Sequence, residues 1–591
     1  MKPIEYYILL HRLDGAEEIN RGFFVTLEQL SEVFFCTRRN VSNILAKLQA
    51  EGWIKWVSGT GRKHKSELTL LKRLDILIKE TVDQYMQEGD IHSILQFNEL
   101  IEASPFKHLL LERLSHSIGY TSTNNKQGKK DILRIPFHRS LTFFDPLFIE
   151  RRAEIHIANQ IFNTLTEYNR HRKEVIPGLA YRWYNNEDYT KWRFFLKKDI
   201  LFHNGKMLNS KDVEFTLNRV KASKSPYSWL TQDIEMIIPI DEQVIEIHLN
   251  KPNKGLPLYL SSVHLAILPS DTYQQNEVIE GLPIGTGPFK LIACDQKITR
   301  LEVNKEYFRE RAFLDMVEFV ILSKEALILL SDLRSHNLQF SPFQYGRDNA
   351  STFVQTNLVE TGCSYLLFND VKGDRIDLRK RTKQIIERGK TKNRTMIPAY
   401  SFLPSLSDGW RDESSNSVLA ESGGEVLQLY TYENDVNTSN AAWIKEQCEL
   451  EGIMVKVNFV PLEELNDPGI LSQADVLLNR IIFRDPLELD MVDFFRNEQS
   501  HFRYYLKSKV YQRVDMEIET FLSENSSKPE EALLKIQQEL SKQNSLVFIN
   551  HIQQKILHDD SLKDLEINDI GWINFHSVWF EDKDRSFIER R

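Results

Sequence analysis

The chain has 591 residues, 41% hydrophobic and 27% charged, with a formal net charge of −9. That length leaves room for about three or four domain-sized units, and the mixture excludes disordered, collagenous and disulfide-scaffold classes. No apolar run approaches the ~18 residues that cross a membrane. The N-terminal apolar run at 6–10 is too short for a secretory signal, so a cytoplasmic protein without membrane contact is expected. Cys36, Cys294, Cys363 and Cys448 lie at least 69 positions apart, which gives neither CxxC nor zinc spacing and suits free thiols in a reducing compartment.

In chain order, residues 2–13 read as a first helix with Tyr6, Leu9, Leu10 and Leu13 on one face. Thr26 with Gln29 three positions later forms a capping box, opening a short helix over 27–34. Thr37 is an N-cap for a third helix over 38–50, where Val41, Ile44, Leu45 and Leu48 form a core-facing stripe at i, i+3, i+4, i+7. Arg38, Arg39, Asn40, Ser42, Asn43 and Lys47 then project away from that stripe. Guanidinium, amide and hydroxyl groups are those that reach base edges and phosphates in a major groove.

Glu51-Gly52 ends the helix. Strand 53–57, a Gly-containing turn tipped by Arg62, Lys63 and Lys65, and a returning strand at 68–70 follow. Three helices and a basic hairpin make a winged helix-turn-helix, whose third helix reads double-stranded DNA in the major groove while the hairpin touches backbone or minor groove. Charge points the same way. Window 36–73 holds nine Lys and Arg against two Glu, a net +7, leaving −16 for the rest. A small protein–protein module is the competing reading. Residues 74–116 continue as helical pattern and either brace the winged domain or form a homodimer interface. Residues 121–131 (TSTNNKQGKKD) carry no large apolar side chain and read as a linker.

From 132 the texture becomes mixed α/β. Strands are predicted at 133–137, 192–196 and 243–249, and helices at 153–165 and 210–220. About 460 residues exceed one core, so two lobes are expected. Gly285-Thr286-Gly287 begins like a dinucleotide fingerprint, but Lys290 stands at the sixth position. No nucleophile lies beside a base at recognisable spacing, so no catalysis, metal or cofactor is expected.

Segments 175–180 (VIPGLA), 192–198 (WRFFLKK), 202–206 (FHNGK), 211–215 (KDVEF), 283–290 (PIGTGPFK) and 304–308 (NKEYF) occur in an order that resembles the family 5 solute-binding proteins of ABC importers. Residues 374–388 and 483–486 (FRDP) are similar to later segments of that family. With the winged helix in front, the chain resembles the SgrR family of bacterial transcription regulators. The resemblance implies a winged helix-turn-helix followed by a two-lobed α/β, periplasmic-binding-protein-like domain of class II. The expected division is a DNA-binding domain with bracing helices at 1–116, a linker at 117–131 and an effector domain at 132–591.

The expected function is a one-component regulator sensing a small metabolite: a sugar, a sugar phosphate or a peptide-like molecule. The alternatives are a regulator whose solute-binding domain is a protein–protein scaffold, and an importer component. The loop after the first receptor strand (Thr142, Phe144, Asp145) and the charged pair Arg484-Asp485, at the end of the apolar run 476–483, are the expected effector contacts.

Overall fold

The computed structural model describes residues 2–13, 18–59, 65–88, 93–94, 107–115, 117–125, 128–141, 143–275, 278–332, 340–341, 354–373, 375–392, 396–407, 425–497, 499–524, 528–558, 562–564, 566–568 and 571–581. The chain divides into two compact units, one comprising 1–141, 293–300 and 316–353 and the other 142–292, 301–315 and 354–591.

The first unit opens with α1 (Pro3–His11), β1 (Gly22–Val25), α2 (Leu27–Val33), α3 (Arg38–Ala50), β2 (Ile54–Val57) and β3 (Ser66–Leu70). The strands form an antiparallel sheet in the order β1-β3-β2. Thr26 and Gln29 close the capping box: the Thr hydroxyl accepts from Gln29 N–H at 3.2 Å and the Gln amide oxygen accepts from Thr26 N–H at 2.9 Å. Gly52 ends α3 with φ +69°, a conformation that costs a side chain-bearing residue energy. The four α3 stripe residues are buried as expected. The face of α1 differs: Ile4, Tyr7, Ile8 and Leu10 are buried, while Tyr6, Leu9 and Leu13 are half-buried, because neighbours cover the helix on more than one side.

The helices α4 (Leu74–Glu88) and Lys107–Ser115 continue this core. Leu77, Ile78, Val82, Leu110 and Leu114 share one apolar cluster with α1–α3 and with Val320, Leu322, Ala326 and Leu327. Those last residues belong to or flank the strand Met316–Ile321 and the helix Lys324–Asp332.

The expected linker is instead a hairpin. β4 (Gly119–Asn125) and β5 (Gly128–Phe137) pair antiparallel, Thr121 opposite Ile132, and β5 pairs in parallel with Met316–Ile321. The stretch lacks large apolar residues because its tip is exposed at Ser122, Gly128 and Lys129. Backbone pairing supplies the order there, and composition does not record it. Glu318 is buried in this sheet between two arginines. It accepts from Arg134 Nε at 2.6 Å and from Arg300 Nε at 2.6 Å. Arg134 also donates to the Ser117 carbonyl and to the Thr121 hydroxyl, the latter at 2.8 Å.

The second unit carries two larger sheets. Four antiparallel strands run in the order Ile234–Pro239, Val244–Leu249, Lys191–Leu196, Ala180–Asn185. The helix Ser210–Ala222, boxed by Asn209 and Asp212, buries Val213, Leu217 and Val220 in the same cluster as Phe194 and Ile247. The six-stranded sheet runs Ile397–Pro398, Leu546–His551, Gly362–Phe368, Val476–Ile482, Glu425–Tyr432, Ile453–Val460. Glu425–Tyr432 pairs in parallel with both neighbours, and the helix Asp435–Leu450 connects it to Ile453–Val460. Both sheets contribute to one apolar cluster, Phe194 and Ile247 from the first and Tyr365, Leu367 and Phe548 from the second.

The Gly285-Thr286-Gly287 segment has a packing role. A Cβ on Gly285 would lie 2.1 Å from the Ile161 carbonyl oxygen, and one on Gly287 2.4 Å from that of Gln160. Only glycine lets this backbone close on the end of the helix Arg152–Ile161. No helix among the described residues is long and apolar enough to cross a membrane.

Candidate nucleic-acid interface and effector site

Arg38, Arg39, Asn40, Ser42, Asn43 and Lys47 are all exposed on α3, opposite the buried stripe. Thr37 fixes the helix start by accepting from Asn40 N–H at 3.4 Å. Arg38 is engaged with Glu28 of α2 at 2.6 Å, an exposed pair that a phosphate displaces at low cost. Ser42 donates its hydroxyl to the Arg38 carbonyl at 3.2 Å, so it faces a competitor within its own helix. Lys65 is exposed at the base of β3; Arg62 and Lys63 lie outside the described residues.

Phe35, in the turn between α2 and α3, was not expected. It is 89% exposed with φ +50°, a left-handed conformation in which a bulky residue is uncommon. Its only sequence signal was a second aromatic ring after Phe34, one more than the helix face needs.

Two of the expected effector contacts on the first loop, Phe144 and Asp145, are buried away from solvent. Asp145 is fully buried, and its two oxygens receive the Arg219 guanidinium, Nη1 at 3.0 Å. It also accepts from the N–H groups of Leu147 and Ile279. A carboxylate so filled anchors the loop and has no lone pair left for a ligand. Phe144 is buried while Phe143 is exposed, as a pair with one side in the core requires. Thr142 lies outside the described residues.

Arg484 is likewise committed. Its backbone N–H and Nε both donate to Asp490 at 2.8 Å. Burial opposes the Arg484 charge, but the Asp490 carboxylate outweighs it and raises the guanidinium's affinity for its proton. Asp485 is exposed, with Arg170 and Lys173 near enough to act on its charge.

The strand end points elsewhere. Arg480, four residues before Arg484, sits near the carboxyl end of Val476–Ile482 and directly opposite Ser364 in the antiparallel pair. Its Nη2 meets the carboxylate of Glu360, which also receives Arg152 Nη1 at 3.4 Å. Glu360 is buried; the Arg480 and Arg152 side chains are 13% and 36% exposed. Burial and the Arg480 charge both lower the proton affinity of Arg152.

Toward the same end of the sheet four buried polar atoms have no hydrogen-bond partner among the described residues: Arg480 Nε, Ser364 Oγ, Thr431 Oγ1 and Asn437 Oδ1. Strand alternation puts Ser364, Thr431 and Arg480 on the same sheet face as the apolar Leu366, Leu429 and Leu478. Asn437 stands in the first turn of the helix that packs on that face. The sequence signal was the Asn479-Arg480 pair interrupting an otherwise apolar run.

A second buried cluster in the same unit brings together segments far apart in sequence. Trp229 Nε1 donates to Asp493 at 2.9 Å. Burial raises Asp493 to about 7, Asp490 adding to the rise and Arg484 opposing it. Trp229 and Tyr259 share one apolar cluster with Val492 and Phe495.

Residues 174–475 match the bacterial extracellular solute-binding proteins, family 5 Middle, and residues 2–121 match the sugar transport-related sRNA regulator N-terminal family. The uncharacterized protein YhjP of Bacillus subtilis (strain 168) is 29% identical, covering 98% of this chain and 100% of its own. The HTH-type transcriptional regulator SgrR of Yersinia enterocolitica is 27% identical over 94% of this chain and 95% of its own. Among solved structures, the oligopeptide-binding protein AppA of Bacillus subtilis, in complex with a nonapeptide, covers 76% of this chain and 99% of its own, at 18% identity and a TM-score of 0.61. NikA of Brucella suis, with Fe(III)-EDTA, covers 76% of this chain and 100% of its own, at 15% identity and a TM-score of 0.63. These structural likenesses carry the two-lobed fold; their ligands belong to those proteins.

Proposed function

The chain belongs to the SgrR family, transcription regulators whose C-terminal part is a family 5 solute-binding domain, and from that premise we propose that it binds double-stranded DNA through α3 and the wing and adjusts that binding to a small metabolite held between its lobes. The observation that carries the DNA half is the face of α3: four apolar residues inward, six polar or basic residues outward. The cytoplasm is the compartment this role requires. Coupling has a material basis in the first unit, where the winged core and the strand Met316–Ile321 are parts of one apolar cluster. A two-state shift in that sheet would be felt by the helices behind α3.

A second reading, a scaffold without a small-molecule ligand, has one observation in its favour: the continuous apolar cluster and the Trp229–Asp493 hydrogen bond that already tie together segments between Leu147 and Phe548. Against the importer reading stands the regulator-type N-terminal match over 2–121.

The test of the DNA half is the affinity of the full chain for duplex DNA across a salt series. The logarithm of affinity should fall linearly with the logarithm of salt. Lys47→Ala, removing one phosphate contact, should lower the slope by about one. Salt-independent binding, or an unchanged slope, contradicts the assignment of α3.

A further inference from the structure

We propose that Phe35, in the turn between α2 and α3, specifies sequence by packing its ring on a thymine C5 methyl group in the major groove. This rests on the DNA-binding reading above and gives it a base-specifying residue outside the recognition helix.

The local backbone makes phenylalanine an unexpected choice here. Phe35 N–H donates to the Glu32 carbonyl at 3.3 Å and Cys36 N–H to the Ser31 carbonyl at 3.1 Å. That pair of bonds ends α2 as a Schellman motif, whose left-handed residue is usually glycine and sometimes asparagine. Phe35 occupies that position with φ +50°. Its Cβ there crowds the following carbonyl, and its ring, 89% exposed, gains nothing from burial. Gly52 ends α3 at φ +69°, so the same domain uses glycine where only a helix stop is needed. Strain and exposure at one residue indicate a role beyond stopping the helix.

The turn also fixes where the ring goes. Phe34 is buried and Cys36 packs on the same apolar cluster, so Phe35 between them points outward. The Ser31 hydroxyl donates to the Cys36 carbonyl, and Thr37 accepts from Asn40 N–H. The ring is carried on a backbone tied on both sides, which lowers the ordering cost of a contact.

The surroundings choose the occupant. A protein partner asks for a contiguous apolar patch around an aromatic anchor. The exposed residues within four positions of the ring are Glu32, Thr37, Arg38 and Arg39, and none is apolar. A lone ring beside hydroxyl and guanidinium groups matches a surface where an apolar group lies among phosphates and polar base edges. The thymine methyl is that group in the major groove, and phenylalanine is among the side chains that meet it. Phe35 stands three positions before Arg38, the first residue of α3. A recognition helix meets base edges with its N-terminal residues, so the ring enters the groove at the leading end of the helix.

The experiment takes the full chain and a duplex that it selects from a random-sequence library, with each thymine replaced in turn by uracil, which removes only the C5 methyl. At least one replacement should weaken wild-type binding about fourfold, the worth of one buried methyl. Phe35→Gly should weaken binding to the selected duplex about tenfold and leave binding to unselected DNA, which phosphate contacts carry, within about twofold. It should also lose the response to that uracil and melt no lower than wild type, because glycine takes the left-handed turn without strain. Phe35→Asn, which tolerates the same conformation, should bind like Phe35→Gly, and so separates loss of the ring from a looser turn. A ring that only shaped the turn would move stability and leave the uracil series flat. The proposal is overturned if no uracil is felt, if wild type and Phe35→Gly respond to uracil alike, or if Phe35→Gly weakens selected and unselected DNA equally, which marks a backbone contact. It is overturned too if the variant binds DNA normally but loses self-association in sedimentation, which marks a protein surface. In each of these cases DNA binding stands; if the wild-type chain selects no duplex at all, the DNA-binding reading falls and takes this one with it.

Discussion

Two triads of the same composition lie in the two units of this chain. In the first, Glu318 meets Arg134 and Arg300 with one 2.6 Å bond from each. Arg134 passes its remaining contacts to a carbonyl and a hydroxyl of the adjoining strand and turn. In the second, Glu360 meets Arg480 closely and Arg152 at 3.4 Å, and Arg480 keeps a buried Nε with no partner among the described residues. Both carry the same surplus charge. The difference is in satisfaction: one ties three strands of a sheet together, and the other leaves buried donors and acceptors unpaired among the described residues. An Arg–Glu–Arg set is therefore neither a brace nor a site by composition, and the orphaned atoms decide which.

That contrast is broken most sharply by deletion. Arg134→Met leaves Glu318 buried with only the partly exposed Arg300, and should cost about 3–5 kcal/mol, as losing one partner of a buried pair does. Arg480→Met leaves Glu360 with Arg152 and removes a side chain whose Nε is already unpaired among the described residues, so its cost in thermal unfolding should be smaller, about 1–2 kcal/mol. Equal losses would show that the second triad is a brace like the first.

Acid separates the units next. Burial holds His156, His203, His264 and His501, all in the second unit, at about 3, 4, 3 and 4 against the ordinary 6.5. Below pH 6.5 the unfolded chain takes up these protons and the folded chain does not until about pH 4. The stability they contribute is present above 6.5 and lost as pH falls. At pH 5.5 each costs about 1.4 kcal/mol. Asp493, raised to about 7, runs the other way over the same window and offsets about one to two of the four. The net loss is about 4 kcal/mol, and calorimetry at pH 5.5 should show the second unit melting ahead of the first. A single unshifted transition would contradict the burial of these imidazoles.

Smaller effects sharpen the reading of the first unit. Arg39→Ala should weaken binding to a preferred DNA sequence by about 1–3 kcal/mol without altering thermal unfolding, since Arg39 is exposed and outside the core. Thr26→Ala should do the reverse, costing about 1 kcal/mol of stability through the lost capping box.

Local chemistry was readable wherever a local cause sets the structure. Thr37 placed the start of α3 at Arg38, and the alternation in the 192–196 run marked a strand that the structure extends by one residue to Lys191–Leu196. The four-residue β1 was too short for its alternation to stand out. The hairpin β4–β5 read as a linker because its order comes from a partner far along the chain: Arg134 and Glu318 meet across 184 positions. Asp145 and Arg484 were misplaced as effector contacts for the same reason. Nothing near Asp145 announces Arg219, 74 positions on, and nothing near Arg484 says that Asp490 is its partner rather than a ligand. Arg480 was visible as a charge inside an apolar run, but only the fold shows that Glu360 and Arg152 converge on it.

The most direct test of the regulator reading is genome-wide. The full chain is mixed with sheared genomic DNA from its own source, and the retained fragments are sequenced. A DNA-reading α3 predicts that a few fragments are enriched many-fold, and that the enrichment disappears in Arg39→Ala/Asn43→Ala while thermal unfolding is unchanged. Retained fragments no different from the input, or an enrichment indifferent to those two substitutions, would contradict it.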